Sequence, residues 1–309
     1  MIEGDEYDTA FFEKTPKFLH YVPRDLIVTS IEFDHADIYR DERHVVEQFE
    51  KLVSILPKNG SICAWGDNAT VKKTVVARGD LTVSFYGLGG GNDWRAGDLR
   101  QTSKGRHFRV IHHEQKLAEV NSPLLGDHNV LNVLACLAAA EIQGVSPEKA
   151  AAAVSTFEGV RRRQEFLGEV RGIRFYDDFA HHPTAIRETL AGFRPLADVT
   201  KGKLWAVFEP RSNTVRRRVF ESSLPDSFRL ADEVILAPVY RKKDSLTDAE
   251  LLHPEEVASA IRKAGRSALA ATTMDEIVER VKSGAKKGDV VVFMSNGNFE
   301  IGDTRLYRD

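Results

Sequence analysis

Apolar residues recur at helical spacing over 41–56, where Val45, Phe49, Leu52, Val53 and Leu56 share one face and Asp41 can cap the first turn. Before them, "LIVTSI" (26–31) is a short β-branched apolar run, the pattern of a buried strand. After them "SICAWG", "TVVARG", "LTVSFYG" and "HFRVIHH" all predict strands. A helix is predicted from near Asp127 through "NVLNVLACLAAAEIQ" to Gly144. The next has Ser146 as N-cap and Pro147 at its first position, and ends near Phe157.

The pattern then changes. Two strand-like runs flank "RG" (171–172) as a hairpin. A helix follows from Pro183, then strand "KLWAVF", a helix near 215–223, strand "EVILAPV", helices near 254–264 and 274–283, and strand "DVVVFMS". Strands alternating with helices predict a mostly parallel sheet with crossover helices, an α/β fold. The change of style near 158–160 predicts two domains, 1–158 and 159–309, each large enough for its own core. Neither repeats nor low-complexity segments interrupt this order.

Composition narrows the function more than the fold. With 42% hydrophobic residues, 29% charged residues and a net charge of −3, the chain has the balance of a soluble globular protein. Non-specific nucleic-acid binding wants a strongly basic face, so no nucleic-acid partner is expected, despite "RRR" at 161–163 and 216–218. No apolar run is long enough to span a membrane, and no signal-peptide pattern precedes the first acids. A cytoplasmic location is expected. Cys63 and Cys136 lie in apolar runs and are expected to be reduced core residues.

Five stretches, the first two taken together, carry candidate chemistry. "IEGDEYD" (2–8) holds four acids in seven residues, and "SIEFDHAD" (30–37) brings Asp34 and His35 just past a strand end. Carboxylates with one imidazole suit Mg²⁺ or Mn²⁺ better than zinc; the plainer reading is a solvated acidic loop. In "GDHNVLNVLA", His128, Asn129 and Asn132 sit on the first helical turn, and an Asn side chain matches the donor–acceptor edge of adenine. Helix capping is the alternative, though it explains Asn129 better than Asn132. In "FYDDFAHHPTAI", a strand delivers Asp177 and Asp178, acceptors suited to ribose hydroxyls, and His181 and His182 precede a helix whose N-terminus favours anions. In "FEPRSNT" (208–214), Arg211 beside Ser212, Asn213 and Thr214 makes a carboxylate- or phosphate-binding loop. Ordinary caps account for the last two stretches as well. "GLGGGND" (87–93) lacks the Lys-Ser/Thr ending of a phosphate loop and predicts a hairpin turn.

In this order, "EGDEYDTAFFEK", "EFDHADIY", "GDHNVLNVLA", "DDFAHHPTAI" and "FEPRSNT" resemble the Mur ligase family of peptidoglycan synthesis, over essentially the whole chain. The resemblance implies a Mur ligase central (ATPase) domain followed by a Rossmann-like C-terminal domain. It implies ATP and Mg²⁺ as cofactors. UDP-N-acetylmuramate would be one substrate, and its carboxylate would be activated as an acyl phosphate. The wording "YDTAFF" and "EPRSNT" favours the branch that recycles the murein tripeptide L-Ala-γ-D-Glu-meso-diaminopimelate over the branch that adds L-alanine. By resemblance, Glu3, His35 and His181 are catalytic, with Glu3 and His35 on Mg²⁺. His128, Asn129, Asn132, Arg163 and Asp178 meet the nucleotide. His182, Arg211, Ser212, Asn213 and Thr214 meet the peptide. Ser30 stands where many members have Asn, which weakens whatever contact the longer amide makes.

The family's central domain opens with a phosphate loop ending in Gly-Lys-Thr, and no G-x-x-x-x-G-K-[ST] occurs in these 309 residues. The resemblance therefore implies the back part of the central domain plus the C-terminal domain, inactive alone. Two other readings stay open. One is a non-catalytic ATP- or peptide-binding module that works with a separate N-terminal chain. The other is a metal-dependent phosphohydrolase using Asp34, His35, Asp178, His181 and His182.

Overall fold

The computed structural model describes residues 1–9, 13–102, 105–242, 246–297 and 306. Residues 10–12 of the "YDTAFF" stretch lie outside them. The chain forms two compact units, Met1–Pro123 with Asp127–Phe157, and Leu124–Gly126 with Glu158–Asp309. No described helix is long and apolar enough to cross a membrane.

The first unit contains β1 (Asp25–Val28), α1 (Glu42–Ser54), β2 (Ser61–Trp65), α2 (Ala69–Val75), β3 (Thr82–Gly87), β4 (Trp94–Thr102), β5 (Gly105–His112), β6 (Gln115–Ser122), α3 (Asp127–Ile142) and α4 (Pro147–Val154). Its sheet has the order β1-β2-β3-β4-β5-β6. β1 to β4 pair in parallel, and β4, β5 and β6 form an antiparallel meander. Val45, Val53, Val71 and Val75 of α1 and α2 cover one face with Ile62 and Ala64. Val130, Leu134 and Leu137 of α3 cover the other with Cys63, Tyr86 and Trp94. Asp41 caps α1 by accepting from His44 N at 2.8 Å.

Three expectations fail in this unit. "TVVARG" is not a strand: Asn68 accepts from Val71 N at 3.0 Å and starts α2, whose buried Val71, Thr74 and Val75 have helical spacing. "GLGGGND" is not a hairpin turn, because β3 and β4 pair in parallel through Tyr86–Trp94 and Gly87–Arg95. The connection must turn back on itself, and Asp67 holds it. Leu88 N and Gly89 N donate to Asp67 Oδ2 at 2.7 and 3.1 Å, and Asn92 Nδ2 donates to Oδ1 at 2.7 Å. Burial pushes the Asp67 carboxyl up, but these donors outweigh it and leave the group below its ordinary value. Cys136 is exposed, so of the two free cysteines only Cys63 is a core residue.

The second unit contains β7 (Glu165–Val170), β8 (Ile173–Asp178), α5 (Pro183–Thr200), β9 (Leu204–Phe208), α6 (Leu224–Ser227), β10 (Glu233–Leu236), α7 (Pro254–Lys263), β11 (Ser267–Ala270), α8 (Met274–Gly284) and β12 (Val290–Met294). The sheet order is β11-β10-β9-β12-β8-β7. All pairs are parallel except the β7–β8 hairpin, which turns at Arg171 and Gly172. Every residue of β9, β10 and β12 is buried. The pleat divides them: Leu204, Ala206 and Phe208 join the core of α5, α6 and α7, whereas Trp205 and Val207 join that of α8. The helix expected over 215–223 is a 3-10 turn, Arg218–Phe220, followed by the short α6.

Candidate functional site

In the first unit, Glu3 is exposed, and the carboxylate against His35 belongs to Glu6. His35 Nε2 lies 2.8 Å from Glu6 Oε1. The Tyr39 hydroxyl donates to the Glu6 carbonyl, and the Tyr7 ring meets His35 edge-on at 4.9 Å. Burial alone would lower the His35 pKa, but Glu6, Asp34 and Asp37 outweigh it and raise the value. His35 is thus paired with Glu6 and not with Glu3, the partner expected beside it on Mg²⁺. Among the described residues, Glu221, His253 and Glu256 do group closely enough to ligate a metal. Arg218 already sits 2.8 Å from Glu221 Oε1 and supplies positive charge there.

The first turn of α3 is a polar chain. Asn129 is buried, with Nδ2 3.0 Å from His128 Nε2, and its Oδ1 accepts from Asn132 Nδ2 at 3.2 Å. Asn132 is exposed.

In the second unit the candidates gather where β8, β12 and β9 end, side by side, at their carboxyl edge. Such edges are where open α/β sheets bind ligands. Asp178, the expected ribose acid, is 4% exposed and already committed. Its Oδ1 accepts from Ala180 N at 2.9 Å and Thr189 Oγ1 at 3.1 Å, and its Oδ2 from Gln164 N at 2.9 Å. Burial is the largest influence and raises its pKa despite those donors. It clamps the loop, and its neighbour Asp177 keeps a buried Oδ1 with no protein partner among the described residues. Arg163 lies over the Phe179 ring at 4.9 Å. The arginine that reaches the strand ends is Arg162: its Nε donates to Asp177 Oδ2 at 3.3 Å, and its Nη2 donates to the carbonyls of Ser295, at 2.6 Å, and Gly297.

The two histidines differ in tautomer. His181 Nδ1 lies 2.9 Å from the Phe179 carbonyl, which fixes its proton on Nδ1. His182 Nδ1 accepts from Thr184 N at 3.3 Å as the N-cap of α5, which places its proton on Nε2.

After β9, Ser212 Oγ accepts from Val215 N at 3.1 Å, a capping contact. Asn213 Oδ1 accepts from Lys242 Nζ at 2.7 Å, and Thr214 is buried. Arg211 stands apart. Its Nη1 donates to Glu209 Oε1 at 3.3 Å, and its guanidinium lies over the Tyr240 ring at 3.7 Å. Glu209 is itself fixed, accepting from Ser295 Oγ at 2.5 Å. Four of the five guanidinium N–H donors of Arg211 therefore have no partner among the described residues. Arg162, Glu209, Tyr240 and Ser295 escaped the sequence reading, because they meet only through the adjacency of β8, β12, β9 and β10.

Residues 17–140 match the Mur ligase middle domain, and residues 162–297 match the family described as Mur ligase, glutamate ligase domain. The chain is 38% identical over 305 residues to the UDP-N-acetylmuramate–L-alanyl-γ-D-glutamyl-meso-2,6-diaminoheptandioate ligase of Haemophilus influenzae. It is 40% identical over 299 residues to the ligase of the same description from Escherichia coli. Each match covers 97% of this chain and 62% of the relative, so the chain spans under two thirds of the proteins it matches. The crystal structure of a murein peptide ligase from Psychrobacter arcticus superposes with a TM-score of 0.67 at 36% identity, covering 99% of this chain and 61% of that one. Matched in order by both domain families and over nearly its whole length by these ligases, the chain belongs to the Mur ligase family, as its middle and C-terminal domains.

Proposed function

We propose that this chain supplies the nucleotide- and peptide-binding parts of an ATP-dependent ligase that joins UDP-N-acetylmuramate to L-Ala-γ-D-Glu-meso-diaminopimelate. In that reaction the muramate carboxylate attacks the γ-phosphate of ATP, giving an acyl phosphate and releasing ADP. The L-alanine amine then attacks the carbonyl carbon and expels phosphate. No enzyme nucleophile is required, and positioning and charge carry the catalysis.

In this reading His128, Asn129 and Asn132 take the adenine side, and Arg163 the nucleotide near the hinge. Asp178 acts as the clamp that keeps Asp177 facing the ribose. His181 and His182 stand beside the incoming amine. Ser212, Asn213 and Thr214 shape the loop around Arg211. Glu3 and His35 would hold the Mg²⁺, whose charge would offset that of the phosphates.

The observation that carries the proposal is Arg211: a held guanidinium with unspent donors at the carboxyl edge of a buried sheet. A tripeptide ending in diaminopimelate brings several carboxylates, whereas free alanine brings one. Calorimetry on this chain with the tripeptide, L-alanine and ATP tests it. Arg211→Ala should weaken the tripeptide about tenfold or more, from the loss of a charge-assisted pair, and leave ATP unchanged. Arg211→Lys should restore part of the affinity, because an ammonium cannot form the fork. Loss of ATP binding instead, or alanine bound as tightly as tripeptide, refutes the assignment.

A further inference from the structure

We propose that Tyr240 is a positioning residue for the peptide anchor: its ring fixes the plane of the Arg211 guanidinium so that the unspent N–H fork points at a ligand carboxylate. The inference rests on the reading of Arg211 given above.

A free arginine side chain has four soft torsions, and a bidentate carboxylate contact needs a single orientation of the fork. Three strand ends remove that freedom here. From β9, Glu209 accepts from Nη1 at 3.3 Å. From β12, Gly297 lies against the arginine stem: a Cβ built on Gly297 would stand 1.9 Å from Arg211 Nε and 2.0 Å from Cδ. Gly297 is fixed in turn by its N–H donating to Ser295 Oγ at 3.0 Å, the hydroxyl that holds Glu209. From the loop after β10, the Tyr240 ring lies against the guanidinium at 3.7 Å, well inside the range of a cation–π contact.

Tyr240 is placed by its backbone. Its N–H donates to the Pro210 carbonyl, one residue before Arg211, at 3.1 Å. Its own carbonyl accepts from Nη1 of Arg216 at 3.3 Å, and Arg216 is only 2% exposed. Tyr240 is 37% exposed, and its ring face meets the Arg211 guanidinium. The phenol oxygen has no part in this arrangement; the ring face has.

The test is a double-mutant cycle on this chain, read by calorimetry with L-Ala-γ-D-Glu-meso-diaminopimelate. Tyr240→Phe keeps the ring and should bind as the parent does. Tyr240→Leu keeps bulk but loses the quadrupole, and should weaken the tripeptide about three- to tenfold. In an Arg211→Ala background, Tyr240→Leu should have no further effect. If Arg211→Ala weakens binding and Tyr240→Leu does not, the inference falls and the reading of Arg211 stands. If the two effects multiply in the double variant, Tyr240 acts without Arg211 and the inference also falls. If Arg211→Ala leaves the tripeptide untouched, both fall together.

Discussion

The two units solve the same problem, a sheet with helices on both faces, to different depths. In the second, β9, β10 and β12 are buried at every residue, and side chains at their ends are fixed by neighbours from adjacent strands. In the first, β1 has one fully buried residue of four, and its only strand partner among the described residues is β2. Its candidate groups ride on loops: Glu3 and Glu6 ahead of β1, His35 after it. Residues on a buried strand end inherit the rigidity of the sheet, whereas residues on a loop depend on one or two contacts of their own. That is why the second unit presents an arginine held on three sides, while the first presents a histidine that has turned to the nearest carboxylate.

The sharpest way to break this contrast is to cut each core. Phe208→Ala should cost the second unit about 3–5 kcal/mol, while Val28→Ala in β1 should cost the first about 1–2 kcal/mol. Hydrogen exchange resolved by peptide would report each unit separately, with β9 and β12 most protected in the parent chain. Equal losses, or equal protection of β1, would remove the distinction.

Acid should sharpen it. The Asp67 pKa is depressed below its ordinary 3.8 in the fold, so its stabilisation is present above that value and lost as pH falls through the folded value. Asp67→Asn should lower the stability of the first unit by about 1–2 kcal/mol at pH 7, and the difference should shrink as pH falls below 3.8. Asp177 and Asp178 have the opposite sign. Burial, the largest cause, raises both, so their contribution is full below 3.8 and declines as pH rises through the raised values. A pH-independent effect of Asp67→Asn in thermal melts would show that the carboxylate charge does not hold the 88–93 connection.

The smallest effect should be the same in both units. Asp41 caps α1 and Thr273 caps α8, each accepting from a first-turn N–H. Asp41→Ala and Thr273→Ala should each cost about 1 kcal/mol in denaturant melts, because capping is local. A markedly unequal pair would mean that the depth of the sheet reaches even the helix ends.

What was legible in the sequence follows the same physics. Strong periodicity and caps gave α1, α3, α4 and α5, and continuous apolar runs gave β9, β10 and β12. β4, "WRAGDLRQT", and β6, "QKLAEVNS", were missed because their half-exposed alternation is diluted by charge and by Gly97. β11, "SALA", is too short to signal itself. Arg211, His181 and His182 were legible because a strand running into a loop is a local pattern. Glu209, Tyr240 and Ser295 were not, because their meeting depends on which strands lie side by side. Arg163 was chosen by resemblance, whereas the contacts of Arg162 with Asp177, Ser295 and Gly297 depend on β8 and β12 lying side by side.

The position of β12 in its sheet bears on how the protein is made. It lies between β8 and β9, yet it comes last of the three in sequence, after β10 and β11. As the chain leaves the ribosome, β8 and β9 have no direct pairing with each other, and the slot between them stays open until residues 290–294 emerge. Two buried strands thus wait with unpaired edges for about 80 residues of synthesis, at roughly 5–20 residues per second. This interval of several seconds is when the nascent chain is most exposed to pairing with the wrong strand, and a chaperone that covers sheet edges would act on it then.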